Sequence, residues 1–374
     1  MNRTSIRRAV VPTVAALTVG FGLAACGAGN DDSGSDTGSS DAASSLSGTL
    51  AGGGASSQDK AQQAWRAGFQ TANPDVTITY DPVGSGDGRA NFISGAYAFA
   101  GSDSYMNDDE GELSAAAETC GGEDPIEVPA YVSPIAVMFN VEGVDSLNLS
   151  AKTIAEIFDG KITNWNDPAI AEANPDATLP DLAISPVHRS DDSGTTNNFT
   201  DYLSKAGEGA WSYDPDGIWP IKSGEAAEGT SGVVGAVTDG KGAIGYADDS
   251  AVKDTELGVV SVQVGDGFEA PSPEGAAAVV AVSPAVEGRP EVDMAVDIDR
   301  TTTEAGAYPV VLVSYLIACQ TYEDAEQASL VEGFLSYIIS SDGQAASAAE
   351  AGSAPLEASI QKRAADIVGA IAAK

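Results

Sequence analysis

From Leu46 onward the chain alternates short strand-like runs with runs of helical period, the pattern of α/β architecture. Leu46 to Leu50 predicts a strand, and the Gly52-Gly53-Gly54 turn after it leads into a helix on which Ala61, Trp65 and Phe69 recur every fourth residue. Val76 to Tyr80 alternates as a half-buried strand does, Gly84 to Gly88 turns the chain, and Tyr97 to Ala100 predicts a strand ending at Gly101-Ser102-Asp103. Ser150 caps a helix carrying Ile154, Ile157 and Phe158 that Gly160 terminates. Another helix starts near Ser193 and runs through Phe199 and Leu203; Leu330, Phe334 and Tyr337 mark an amphipathic helix near the end. No internal repeat is present.

The first 45 residues do not share this pattern. Arg3, Arg7 and Arg8 precede an apolar stretch from Ala9 to Ala25, and Leu23-Ala24-Ala25-Cys26 follows the form of a bacterial lipobox. Residues 1–25 are expected to be a lipoprotein signal peptide, with Cys26 the lipidated N-terminus; the alternative is an ordinary signal peptide with a chance cysteine near its cut. Residues 26–45 hold no large apolar side chain and read as a disordered tether with a reach of roughly 25 Å. The expected location is the extracytoplasmic face of the bacterial cell membrane, with a lipid anchor. In that oxidising compartment Cys120 and Cys319 either pair as a disulfide or stay separate buried thiols, and the compartment favours the bond.

Charge narrows the function. The 374 residues carry 18 Lys+Arg against 55 Asp+Glu, a formal −37; without the three leader arginines the balance is 15 against 55, or −40. Such a surface repels nucleic acid. One histidine excludes two-His metal sites and His pairs, so no metal or cofactor is expected. Gly235 to Lys241 matches the opening of a nucleotide P-loop but runs into Gly242 where a Ser or Thr is needed, and reads as a helix end before the Ala243 to Tyr246 strand. No Gly-x-Ser-x-Gly elbow accompanies His188. The acidic run Asp108-Asp109-Glu110 reads as a solvated face, and Trp65, Trp165, Trp211 and Trp219 as packing.

Four loops share small residues, hydroxyls and free backbone amides: Gly53 to Ser57, Gly84 to Gly86, Gly101 to Asp103, and His188 to Thr195. Glycine admits close backbone approach, and a following helix offers unpaired N–H groups, which suits an oxyanion. The last loop is the most specific, since Arg189 places a guanidinium just before a helix start.

Taken in order, these loops, with Gly160-Lys161-Ile162-Thr163-Asn164-Trp165-Asn166-Asp167-Pro168 and Gly242 to Tyr246, resemble the bacterial phosphate-binding proteins that feed the phosphate ABC transporter. The resemblance implies an α/β, type II periplasmic-binding-protein fold: two lobes, a hinge, and an anion held in the cleft between them. Lobe I would be 46–131 plus 308–374, and lobe II 132–307. It places phosphate-binding hydroxyls on Ser56 and Ser85, an amide on Ser57, the guanidinium on Arg189, and the helix-start donors on Ser193, Gly194 and Thr195. Asp103 becomes the acceptor of the phosphate proton, and Asp191 the acid that holds Arg189. The chain departs from the family at Ser56, where Thr is usual, at Ser57, where an aromatic is usual, and at Gly86-Asp87, where a Ser-Gly pair is usual. The first change keeps its hydroxyl, the second removes a wall, and the third adds an anion near the cleft mouth.

The implied function is capture of inorganic phosphate and its delivery to membrane permease subunits by a monomer that is no enzyme. An ionised carboxylate only accepts hydrogen bonds, so Asp103 pairs with a protonated phosphate oxygen and meets bare lone pairs on sulfate. The alternatives are a protein for another tetrahedral oxyanion, such as sulfate or molybdate, or a secreted phosphoryl-transfer or hydrolytic enzyme, which would need a metal or a nucleophile–base pair in the cleft.

Overall fold

A computed structural model describes residues 46–108 and 111–374. The expected leader, Cys26 and the tether, together with Asp109 and Glu110 of the acidic run, lie outside the described residues. The described residues form one compact unit.

The chain begins with β1 (Gly48–Gly54), α1 (Asp59–Ala72), β2 (Val76–Asp81), α2 (Ser85–Ile93), β3 (Phe99–Ser102) and α3 (Glu112–Thr119). β1 lies between β2 and β3, parallel to both. The helical reading of α1 holds for a physical reason: Ala61, Trp65 and Phe69 are all buried, and the Trp65 indole N–H donates to the Gly343 carbonyl at 2.8 Å. Truncating a side chain as enclosed as Trp65 costs about 3–5 kcal/mol.

Then comes β4 (Ile126–Phe139), a strand of 14 residues, all buried. It leads to β5 (Ser146–Leu149), α4 (Ala151–Phe158), α5 (Pro168–Ala173), β6 (Ser185–Arg189), α6 (Gly194–Ala206), β7 (Glu225–Ala227) and α7 (Gly229–Asp239). β8 (Ala243–Asp248), α8 (Asp249–Val252), β9 (Gly258–Val264), β10 (Gly267–Glu269) and α9 (Pro273–Val282) follow. The chain returns as β11 (Val311–Ala318) and ends in α10 (Ala325–Ile339), α11 (Ser341–Ala351) and α12 (Ala358–Val368).

The main path of the sheet runs β2-β1-β3-β11-β4-β8-β6-β7, with β9 pairing with β4 off that path and carrying β5 and β10. β4 is its spine. Residues 126–134 pair antiparallel with β11, and residues 135–139 pair antiparallel with β8, so a single strand belongs to both halves of a curled, two-lobed α/β fold. Covered on both faces, the strand is apolar on both faces of its pleat, interrupted by Glu127 and Ser133. Ser150 caps α4 by accepting the Thr153 N–H, and Gly160 sits at φ +75° two residues past its end. Cys120, closing α3, is bonded to Cys319, just past β11, with 5.2 Å between their Cα atoms. All four tryptophans are buried.

Three local expectations are corrected. Gly52-Gly53-Gly54 is not a turn: it is the end of β1, in register with Tyr80, Asp81 and residues 99–101. A Cβ on Gly52 would stand 2.3 Å from the Phe99 ring, so these glycines serve close packing within a sheet. Of the expected turn at Gly84 to Gly88, only Gly84 turns, at φ +106°, and α2 begins at once with Ser85. The strand expected at Tyr97 to Ala100 is shifted two residues onward, because its partners on β11 begin at Ala100.

Candidate functional site

The carboxyl ends of β1, β2, β3, β6 and β7 converge, and α2, α6 and α7 start there. In open α/β sheets that edge is where ligands bind, because helix N-termini present free N–H groups to it.

The sequence brings each group there by a short device. Gly54 has φ +138°, and a Cβ on it would meet the Gly101 carbonyl oxygen at 2.0 Å, so only glycine lets β1 approach β3 closely as it ends. The next residues, Ser56 and Ser57, form one tight turn before α1. Ser85 is the first residue of α2, and its hydroxyl accepts the Asp103 N–H at 3.1 Å. Ser193 caps α6 by accepting the Thr196 N–H at 3.2 Å. Gly194 lies so close to the opposite loop that a Cβ would fall 2.7–2.8 Å from Ser85 Oγ, Asp103 Cβ and the Ser104 nitrogen.

Asp103 is the centre of the cluster and is only 3% exposed. Ser57 Oγ lies 2.7 Å from both of its carboxylate oxygens, Ser314 donates to Oδ1 at 2.7 Å, and Thr195 donates to Oδ2 at 3.0 Å. Burial pushes the Asp103 carboxyl above its ordinary range; the bonds from Ser314, Ser57 and Thr195 and the charge of Arg189 oppose that rise. Arg189, buried at the end of β6, donates from Nε to Asp191 Oδ1 at 2.8 Å and from Nη2 to Oδ2, a bidentate pair. Burial pushes Asp191 up as well, but the bonded guanidinium and the Gly229 N–H (3.1 Å) more than offset it, leaving this acid below its usual range.

Ser57, Ser85 and Thr195 thus meet at Asp103, while Arg189 and Asp191 form the pair beside it. Gly194 packs on Ser85 and Asp103. Two of the expected residues point elsewhere. Ser56 bridges to the start of α7, its hydroxyl 3.0 Å from Thr230 Oγ1 and accepting the Thr230 N–H at 3.1 Å. The Ser193 hydroxyl is occupied as the α6 cap, so Ser193 can offer its backbone. Asp87 is exposed on α2 and its charge is felt at Tyr97, away from Asp103. His188 stacks on Trp219 with ring centroids 5.1 Å apart, its Nδ1 2.9 Å from the Arg189 carbonyl; among the described residues no hydroxyl or carboxylate is hydrogen-bonded to its ring.

Sequence reasoning missed Ser314, Gly229, Thr230, Asn198 and Arg89. Ser314 lies on β11 between its bond to Asp103 and a bond accepted from the Gln58 amide at 2.8 Å. Its one local signal is a lone serine inside the apolar run Val311 to Ala318. Asn198 donates to the main-chain carbonyls of Asp103 (2.7 Å) and Gly194 (2.9 Å), tying the loop after β3 to α6. Arg89 donates to Ser104 Oγ at 2.9 Å and to Glu112 at 2.8 Å, bracing that loop from behind.

Known proteins share this organisation. Residues 39–342 match the PBP superfamily domain. Phosphate-binding protein PstS2 of Mycobacterium bovis is 32% identical over 357 residues, covering 93% of this chain and 95% of that protein. Phosphate-binding protein PstS3 of the same organism is 34% identical over 289 residues, 77% of each chain. Among solved structures, a high-affinity periplasmic phosphate-binding protein (PfluDING) bound with phosphate superposes with a TM-score of 0.69 at 24% identity, covering 84% of this chain and 92% of that one. A substrate-binding protein from Clostridium perfringens, solved with bound phosphate, gives 0.60 at 22%, covering 83% and 100%. At these identities the two structures establish the two-lobed fold. With that fold, the sequence match along nearly its whole length and the converging loops, the chain belongs to the bacterial phosphate-binding protein family of the PBP superfamily.

Proposed function

We propose that this chain binds inorganic phosphate between its lobes and presents it to the permease subunits of a phosphate ABC transporter, without catalysing a reaction. The lobes are 46–131 with 308–374 and 132–307; the first boundary falls within β4 and the second just before β11, and these two strands pair in the middle of the sheet. The ligand is held by Ser56, Ser57, Ser85, Asp103, Arg189, Ser193, Gly194 and Thr195, with Asp191 fixing the guanidinium. The protein works as a monomer, anchored through lipidated Cys26 on the extracytoplasmic face of the membrane.

The observation that carries this reading is the buried carboxylate set among hydroxyl donors beside a clamped arginine. A phosphate oxygen that bears a proton gives Asp103 a donor; sulfate gives it only lone pairs, a contact costing several kcal/mol in a dry cleft. Closure follows from differential affinity, because the groups come from both lobes and a ligand touching both favours the state in which they meet.

Calorimetric titration of the exported chain with phosphate, then sulfate and arsenate, tests the proposal. Phosphate uptake with sulfate rejected by at least a hundredfold is expected, and Arg189→Ala is expected to abolish measurable binding. Equal uptake of sulfate, or no uptake of either at millimolar concentration, would refute it.

A further inference from the structure

Two buried residues outside the proposed ligand set hold its main chain. Asn198 lies one turn into α6 and is 5% exposed. Its carboxamide nitrogen donates to the Asp103 carbonyl at 2.7 Å and to the Gly194 carbonyl at 2.9 Å, while its Oδ1 accepts from Arg300 Nη2 at 2.5 Å. These partners fix which way the amide points, because a carbonyl only accepts and a guanidinium only donates. Turning the amide over would break all three bonds in a buried place, so it stays as it is.

Arg300, itself 2% exposed, braces that amide. Its Nε donates to Asp201 Oδ2 at 2.9 Å, one turn along α6 from Asn198, and its Nη1 to the carbonyls of Pro309 at 3.1 Å and Val311 at 2.6 Å, where β11 begins. Three residues farther along β11, Ser314 reaches the Asp103 carboxylate at 2.7 Å. Asp103 is thus gripped by its backbone from α6 and by its side chain from β11, and Arg300 ties those two elements together. A lysine, with three donors on a flexible stem, could not serve the same four acceptors.

The bonds made by Asn198 differ in kind from those around the Asp103 carboxylate. The Thr195 hydroxyl can leave Asp103 for a ligand oxygen, but an unprotonated anion oxygen cannot compete for a carbonyl, so the two Asn198 bonds persist beside a bound anion. In the proposed set the acceptor, Asp103, lies at one end of this clasp, and the donors Gly194 and Thr195 lie at the other. We infer that Asn198, braced by Arg300, is a positioning residue that fixes the spacing between Asp103 and the α6 donors and thereby determines the size of tetrahedral anion admitted. This deepens the phosphate-binding reading and rests on it. Arsenate measures that spacing: it carries the same charge and the same proton as phosphate on longer bonds to oxygen, so the demand of Asp103 for a hydrogen does not reject it and only firm walls can. A cavity of about 40 Å³, bounded in part by Asp103, Ser104, Asn198 and Arg300, adjoins the clasp and gives the loop room to shift once the clasp is cut.

Competition calorimetry with phosphate and arsenate at one pH compares the parent with Asn198→Asp and Asn198→Ala. Asn198→Asp keeps the acceptor for Arg300 and replaces the donating nitrogen with an oxygen that repels both carbonyls; its added charge acts alike on two anions of equal charge and cancels in their ratio. The parent should prefer phosphate. In both variants phosphate affinity should fall by about tenfold, the worth of one buried hydrogen bond, and the preference over arsenate should shrink by about threefold or more. A preference as large as the parent's, whatever the affinities, is what a merely structural residue would give and overturns the inference, as does a parent that takes arsenate as readily as phosphate; both results leave phosphate binding in place. A parent that binds neither anion overturns the phosphate reading and this one with it. Should neither variant fold, crystal structures of the parent with phosphate decide: both Asn198 bonds kept beside the anion are expected, and a complex in which either is broken overturns the inference.

Discussion

Ser314→Ala tests the proposed role of Asp103 as the acceptor of a proton-bearing ligand. The Ser314 hydroxyl donates to Asp103 at 2.7 Å, both groups are buried, and Ser57 and Thr195 supply the other donors. A hydrogen bond to an ionised group is worth about 1.5–3 kcal/mol and one to its neutral form about 1, so the serine favours the ionised carboxylate by about 1–2 kcal/mol. That is close to one unit of proton affinity. Burial already raises Asp103, so removing a donor raises it further. The sign follows directly: on acidification the variant's Asp103 takes a proton first, loses its acceptor, and stops binding about one pH unit higher than in the parent, while affinity near pH 8 barely changes. Gln58 keeps its second acceptor, the Tyr315 carbonyl at 3.1 Å, so the fold should persist. Phosphate titration calorimetry from pH 4 to pH 8 reads the acid limb. An acid limb that coincides with the parent's would refute the view that hydroxyl donors hold Asp103 ionised, and a uniform loss at every pH would mean that Ser314 touches the ligand.

Asp103→Asn should weaken phosphate by tenfold or more and narrow its margin over sulfate, because an amide can donate to an unprotonated oxygen; competition calorimetry reads both. Gly194→Ala should lower phosphate affinity while leaving the melting temperature of the ligand-free protein nearly unchanged. Its methyl group would stand under 3 Å from Ser85, Asp103 and Ser104, and must hold the α6 start away from them. Replacing both Cys120 and Cys319 with serine should cost about 2–5 kcal/mol in denaturant unfolding, since the bond closes a loop between positions 199 apart in the chain. It should leave phosphate affinity intact, because neither residue is among those that meet at Asp103.

The local code was legible where one element decides the outcome. The burial stripe of α1, the Ser150 cap and the α6 start follow from periodicity and capping chemistry within a few residues. Legibility fails where two distant segments must meet. Ser314 reaches Asp103 across 211 positions, and only the antiparallel placing of β11 between β3 and β4 brings them together. Thr230 reaches Ser56 across 174 positions in the same way. Gly229-Thr230-Ser231 looks like any small-residue turn, and nothing local marks it as a helix start facing the first glycine loop. The triglycine run misleads for the opposite reason. Glycine signals both turning and close packing, and the choice depends on Phe99, a neighbour 47 positions along that the run does not reveal.

The same geometry explains how a chain of formal charge −37 can hold an anion. The site carries no net positive charge: Arg189 is balanced by Asp191, and Asp103 adds a further acid. Attraction must therefore come from dipoles. In the proposed site the amides that open α2, α6 and α7 and the Arg189 guanidinium act at hydrogen-bonding distance in a buried place, where the effective dielectric is low. The exposed acids act through water, where charges are screened over about 8 Å. A bond at 3 Å outweighs them individually, and the bidentate clamp on Arg189 means that its donors are oriented before a ligand arrives, so little entropy is lost when it does. Discrimination then requires that the nearest charge have the wrong sign. A pocket with surplus positive charge would take any oxyanion, whereas one that confronts its guest with a buried carboxylate admits only a guest carrying a hydrogen to place there.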